Sequence, residues 1–234
     1  MTKKNNILGV IPARGGSKGI PNKNIYPING FPLISYTIKT ALQSKLLSRC
    51  IVSTDSNKIA NVAKEYHADV PFIRPQQHAT DQALAIDVIK HAVLEMESLD
   101  NCQYDYIVML QPTTPLKIAE DIDAVINKLI KANCDTVVSL VDVGADHPAR
   151  MYTIESDKMV PVMDEGVVMS PRQDLPSIYI RNGAVYACKR DVIFEHNAMI
   201  GTDCRGYVMP AERSVNIDVK TDLILAEYYL KNSS

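Results

Sequence analysis

Apolar positions along this chain come in short continuous runs, separated by longer stretches where they recur near every 3.6 residues. The first run is Ile7 to Ile11, a length that suits a buried strand. Residues 33 to 47 then place Leu33, Ile34, Ile38, Ala41, Leu42 and Leu46 on one helical face. Residues 50 to 53 read as a strand, with Asp55 or Ser56 placed to cap the helix holding Ile59, Ala60, Val62 and Ala63. Val70 to Ile73 reads as a third strand, and a helix is expected from about 82 to 97. Tyr104 to Leu110 is a fourth strand, followed by a helix through Ile118, Ile122, Val125, Ile126, Leu129 and Ile130. A fifth strand spans residues 136 to 141. This alternation predicts βαβ units and a mostly parallel, Rossmann-like sheet in a three-layer α/β/α fold.

The rhythm breaks at about residue 142. Short strands and turns without long helices run to about 180, which predicts a small antiparallel insertion and a possible oligomer arm. Ile178 to Ala187 follows a strand pattern interrupted at Asn182-Gly183. A last strand is expected near Ser214 to Ile217, and a helix from about 219 to 231. The 234 residues form one domain by this reading, residues 1–234, with 142–180 as the arm.

Charge adds what the apolar pattern does not show. Eight basic residues and no acidic one precede Asp55, whereas the rest of the chain carries 17 basic and 27 acidic residues. The amino-terminal part is therefore suited to an anion. The net charge of −2 gives no case for nucleic acid. Five scattered cysteines, with no CxxC pair, predict reduced thiols and a cytoplasmic protein. Lys3 and Lys4 precede an apolar stretch that Pro12 and Arg14 cut short, so a signal peptide is rejected. No run approaches the ~18 apolar residues of a membrane span.

The candidate chemistry starts at Ile11-Pro-Ala-Arg-Gly-Gly-Ser-Lys-Gly-Ile-Pro-Asn-Lys-Asn24. Its glycines force a turn, and Arg14, Lys18 and Lys23 stand there with the Ser17 hydroxyl and no acid. Such a loop cradles a polyphosphate through backbone N–H groups and cations; a solvated basic loop is the plainer reading. A Walker A loop is excluded because Lys18 follows Ser17 and precedes Gly19. A dinucleotide fingerprint fails on spacing and on Pro21. The histidines are isolated, and neither His-Glu-x-x-His nor Gly-x-Ser-x-Gly occurs. Ligands of an open α/β sheet bind beyond the strand ends, here segments 12–24, 53–56, 74–81 and 111–116. In Ser214-Val-Asn-Ile-Asp218, alternation puts Asn216 and Asp218 on one side. Their oxygens suit Mg²⁺, but Asp218 is equally placed to cap the last helix.

Taken together and in order, these segments resemble a family. Ala13 to Asn24, Ile51-Val-Ser-Thr-Asp55, Arg74-Pro75 with Thr80-Asp81, Leu110 to Leu116, Pro171-Arg-Gln173, Asn182-Gly-Ala-Val-Tyr186 and Ile217-Asp218 are similar to motifs of the acylneuraminate cytidylyltransferases. The resemblance implies a reaction of CTP with a nonulosonic acid, N-acetylneuraminate or legionaminate, to give the CMP-sugar and pyrophosphate. It places Arg14, Ser17, Lys18, Lys23 and Asn24 on the triphosphate, with Arg14 and Lys23 nearest the transferred phosphoryl. It places Arg74, Thr80 and Asp81 beside the cytosine. It places Gln111, Thr113, Arg172, Asn182 and Tyr186 toward the sugar, with Arg172 suited to the sugar carboxylate. Asp218 is implied as a Mg²⁺ ligand. Asn216 stands where the sialic acid enzymes usually carry Asp, which leaves the metal's position or number open. The 142–180 insertion resembles the family's dimerisation arm and implies a homodimer. The Kdo enzymes have a different loop after Ala-Arg, and the pseudaminic acid enzymes usually carry Arg where this chain has Gly19. A CTP-binding regulator without catalysis and a basic-loop RNA binder are the other readings.

Overall fold

A six-stranded sheet carries the site at one of its edges. The computed structural model describes residues 5–17, 19–80, 82–163, 171 and 174–232. The sheet is built from β1 (Ile7–Pro12), β4 (Arg49–Ser53), β5 (Tyr106–Leu110), β6 (Thr136–Asp142), β9 (Tyr179–Lys189) and β10 (Cys204–Val208). Their spatial order is β10-β6-β9-β5-β1-β4, and only β9 runs against its neighbours. The expected mostly parallel sheet is therefore present, with one reversed strand in its interior.

Helices cover both faces. α1 (Leu33–Gln43), α2 (Asn57–Glu65) and α4 (Ala119–Ala132) pack on one side through Ile34, Ile38, Ile59, Ile122, Ile126 and Leu129. α3 (Ala85–Asp100) and α5 (Arg190–Glu195) close the other through Ile89, Val93, Met96, Val192 and Ile193. Removing this much apolar surface from water is what holds the layers together. A small third core joins α6 (Lys220–Asn232) to the start of α1 and to β2 (Pro27–Ile28), which pairs with β3 (Phe31–Pro32), through Ile28, Leu33, Leu223 and Ala226. Ile20 and Ile217 sit in that same core, so it also gathers the glycine turn and the segment before α6.

Several expectations change. Val70 to Ile73 is not a strand: only isolated bridges, Ile51 to Asp69 and Thr54 to Ile73, tie it beside β4. Pro71 lacks the N–H that a ladder requires there. Residues 178–187 do not break; β9 is continuous and takes up the irregularity as a register shift opposite Val138 and Leu140. Gly183 lies in that stretch with φ +78°, a conformation glycine adopts without strain. Ser214 to Ile217 pairs with no strand. Val215 and Ile217 are buried and Asn216 and Asp218 exposed, and Ile217 N donates to the Thr113 carbonyl at 2.8 Å. In the six-stranded sheet the strand that the apolar pattern missed is β10, whose Cys-Arg-Gly-Tyr-Val sequence dilutes its apolar signal.

The insertion is antiparallel, as expected: β7 (Tyr152–Glu155) and β8 (Lys158–Pro161) form a hairpin. At the other end, Asp121 is fully buried and accepts two hydrogen bonds from Arg213, at 2.8 and 3.1 Å. It also accepts from the Ile118 amide at 3.1 Å and the Tyr207 hydroxyl at 3.2 Å. This joins α4, β10 and the turn that leads into residues 214–218.

Candidate functional site

Beyond the carboxyl ends of β1, β4 and β5 lies a cavity of about 600 Å³. Arg14, Ser17, Lys23, Asn24, Arg74, Thr80, Gln111, Thr113, Asn216 and Asp218 all line it. These ten expected site residues come from four separate segments. The sheet converges them because parallel strands all release their loops at one end.

The glycine turn is held from behind. Gly15 N donates to Asp55 Oδ1 at 3.0 Å, and the same oxygen faces Arg74 Nη2 at 3.5 Å. The Arg74 side chain is only 2% exposed. Burial pulls its guanidinium below the usual arginine range, and Asp55 opposes that pull. Asp55 therefore braces the turn, and Ser56 caps α2 by accepting from Ile59 N at 3.4 Å. Asn24 is nearly buried, and its Nδ2 donates to the Arg14 carbonyl at 3.0 Å. It shapes the loop from within. Arg14 Nη1 reaches the Thr80 carbonyl at 3.4 Å.

The turn is also tied to the far end of the chain. Lys23 Nζ donates to the Ile217 carbonyl at 2.8 Å and to Asp218 Oδ1 at 3.0 Å. A Cβ on Gly19 would stand 2.7 Å from the Asp218 carbonyl oxygen, so only glycine permits this approach. Asn216 Nδ2 donates to Asp218 Oδ2 at 2.7 Å. Asp218 does not cap α6: Asp222 Oδ2 accepts from the amides of Asp218 and Val219, at 2.8 and 2.9 Å. The helix-capping alternative for Asp218 is thereby replaced, and its carboxylate faces the cavity.

A third wall follows β5. Lys117 is 2% exposed and donates to the Gln111 carbonyl at 2.8 Å, the Thr114 carbonyl at 2.6 Å and Thr37 Oγ1 at 2.9 Å. Burial pulls its ammonium down to about 7, against the attraction of Asp121. Three oxygen acceptors match the three N–H groups of the protonated form, which is thus the form this pocket holds at and below neutrality. Lys117 fixes the Gln111-Pro112-Thr113 edge, and Thr113 in turn holds Ile217. No sequence signal marks a lysine as buried, since lysine is ordinarily exposed. His78, Ala83, Ala85, Val88 and Pro112 are further lining residues that motif reading missed.

Two expected residues do not reach the cavity wall. Asn182 is an internal brace: Oδ1 accepts from Ser139 Oγ at 2.7 Å and Ala184 N at 3.1 Å, and Nδ2 donates to Ser214 Oγ at 2.9 Å. Its neighbour Gly183 is what approaches the site, where a Cβ would stand 2.8 Å from Gln111 Oε1. Tyr186 pairs with Met109 and Val138 and packs into the core beneath α3 and α5. Alternation along β9 turns it away, and burial pushes its phenol above the usual range. Lys18, Asp81 and Arg172 lie outside the described residues.

A family model described as Cytidylyltransferase matches residues 8–202. A CMP-N,N'-diacetyllegionaminic acid synthase of Legionella pneumophila is 33% identical over 230 residues, covering 94% of each chain. A pseudaminic acid cytidylyltransferase of Campylobacter jejuni is 31% identical over 225 residues, 96% of each chain. In fold, the chain is similar to a CMP:2-keto-3-deoxy-manno-octonic acid synthetase solved with CTP. That match has a TM-score of 0.72 and 16% identity, and covers 98% of this chain and 100% of the other.

Lys117 generates a prediction with a definite sign. The folded chain gives up this proton near pH 7 while the unfolded chain keeps it to about 10.5. The unfolded state thus binds more protons across that window, and stability rises with pH through it. Urea melts should show this gain in the wild type and lose it in Lys117→Met; identical slopes in the two proteins would refute the assignment.

Proposed function

This chain belongs to the cytidylyltransferase family and is a nucleotidyltransferase, and we propose that it activates a nonulosonic acid with CTP, releasing pyrophosphate. The supporting observation is the glycine turn with Arg14, Ser17 and Lys23, bonded through Lys23 to Asp218 across one cavity. The sugar's anomeric hydroxyl attacks the α-phosphorus and gives up its proton to solvent. The bond from that phosphorus to the bridging oxygen breaks, and pyrophosphate leaves with the electron pair. Such a transfer depends on alignment and charge neutralisation more than on covalent help.

Arg14, Ser17 and Lys23 hold the triphosphate in this reading, with Lys18 joining them and Asn24 keeping the loop's shape. Arg14 and Lys23 neutralise the charge that develops on the transferred phosphoryl. Arg74, Thr80 and Asp81 border the cytosine. Gln111 and Thr113 position the sugar, and Arg172 takes its carboxylate. Asn182 and Tyr186 act from behind this wall. The sugar is N-acetylneuraminate or legionaminate. Gly19 favours these over pseudaminate, because its contact with Asp218 leaves no room for the arginine usual in pseudaminic acid enzymes.

The oxygen donors at Asp218 and Asn216 fit Mg²⁺, which commonly takes one or two carboxylates together with substrate phosphates. Bound there, the cation neutralises phosphate charge. Asp218 would hold it, Asn216 would present its oxygen once the amide that now donates Nδ2 to Asp218 is turned over, and Lys23 would be freed to face the phosphates. Among the described residues no three His, Cys, Asp or Glu side chains converge on a metal site.

The chain also forms a homodimer in this reading, through the β7–β8 hairpin. Its Ile154 and Met159 are 76% and 66% exposed, apolar area that a second copy would cover. Five free cysteines support a cytoplasmic protein, recoverable with the soluble fraction of disrupted cells.

Pyrophosphate release with CTP, Mg²⁺ and a panel of nonulosonic acids tests the reaction. Turnover is expected with N-acetylneuraminate or legionaminate, and Arg14→Ala should lower it at least ~100-fold without altering the circular dichroism spectrum. Release with no acid in the panel would sink the proposal. Asn216→Asp adds a negative ligand and should tighten Mn²⁺ binding about tenfold by calorimetry; an unchanged affinity would place Asn216 outside the metal shell. Sedimentation should give a dimer at micromolar concentration, and a monomer would exclude the arm's assigned role.

A further inference from the structure

The cavity has lining residues that neither the phosphate nor the sugar assignment uses. Ala85 and Val88 come from α3, and His78 from the 3-10 turn Gln76–His78 just before it. His78 is not isolated. Its ring lies 5.1 Å from that of His91, tilted by 47°. His91 in turn stands edge-on to Phe72 at 5.3 Å and 74°. Phe72 packs against the core beneath α3. Three rings thus run in a pile from the core to the cavity wall.

The middle ring has the properties of a support. His91 belongs to α3, and its Nδ1 is buried with no hydrogen-bond partner among the described residues. Burial pushes it below the usual histidine range; Glu95 opposes this, while nearby His78 and Arg74 add to it. It stays an uncharged aromatic surface at neutral pH and fixes the tilt of His78 by contact. Beside the pile, Arg74 is 3% exposed and lines the cavity. Its Nε is also buried without a partner among the described residues.

We propose that His78 is a base-binding residue, the stacking wall for the nucleotide's pyrimidine base, held in place by His91 and Phe72. This rests on the nucleotide reading of the same cavity. A flat pyrimidine ring would lay its face on the imidazole and its polar edge along the part of Arg74 that lines the cavity. Ala85 and Val88 supply the apolar contact. Stacking of a base on an aromatic side chain is sequence-tolerant by itself, so selection among bases falls to the polar edge of the cavity that Arg74 lines.

Calorimetry with two probes separates the base from the phosphates. CTP carries both, and inorganic tripolyphosphate carries only the charge. His78→Ala should weaken CTP about tenfold and leave tripolyphosphate affinity unchanged. His78→Phe, which restores a flat face, should bind CTP within about threefold of wild type. His91→Phe should likewise retain CTP, because the pile is kept. Unchanged CTP binding in His78→Ala, or equal loss of both probes, would overturn the proposal. A wild type that binds tripolyphosphate but not CTP would instead remove the nucleotide reading itself.

Discussion

The contact between Lys23 and the Ile217–Asp218 segment joins parts of the chain 194 and 195 residues apart. That closure brings the first and last segments of the site together. The glycine turn reaches the segment only because Gly19 has no Cβ to meet the Asp218 carbonyl. The segment is held at its other side by Thr113, whose carbonyl accepts from Ile217 N. Lys117 holds the loop that carries Thr113, through three oxygens at 2.6–2.9 Å. One continuous set of hydrogen bonds therefore runs from the first loop to the last and on to the third. It fixes the relative positions of the cationic, acidic and amide walls.

Cations do this work for a physical reason. A loop that leaves a strand end exposes carbonyl oxygens with no ladder to receive them. Lys23 and Lys117 donate to such carbonyls, while Arg74 reaches Asp55, which accepts from the backbone N–H of Gly15. Burial raises the cost of leaving any of these contacts unmade. The same burial depresses Lys117 and Arg74, so each is kept charged by its partners and not by water. A site assembled in this way is rigid before its ligand arrives, which suits a transfer that depends on alignment.

Much of this was legible in the sequence, for identifiable reasons. Short continuous apolar runs and period-3.6 patterns report burial directly, so most strands of the sheet and the helices α1 to α4 follow from them. Glycine, proline and clustered cations mark the first loop because few other structures tolerate that composition. Alternation correctly put Asn216 and Asp218 on one side, even though their segment forms no strand. What escaped reading was where a side chain is used against its type. Lys117 is a buried lysine, Asn182 is a polar brace between strands, and Tyr186 faces the core. Motif order grouped Asn182 and Tyr186 with the sugar residues, but the pleat of β9 turns Tyr186 away, and Asn182 is taken up by Ser139, Ala184 and Ser214.

The chain's own residues determined the layered α/β fold, the anion-binding turn and the membership of its motifs in one family, because each depends on local composition and spacing. Only the tertiary structure decided which side chains meet. The pairing of Asp218 with Lys23, the hold of Lys117 on Thr37, and the pile of Phe72, His91 and His78 beside Arg74 all join residues that spacing does not relate. Those contacts arise where loops from separate strands are brought to one edge of the sheet. Sequence distance carries no information about them; packing does.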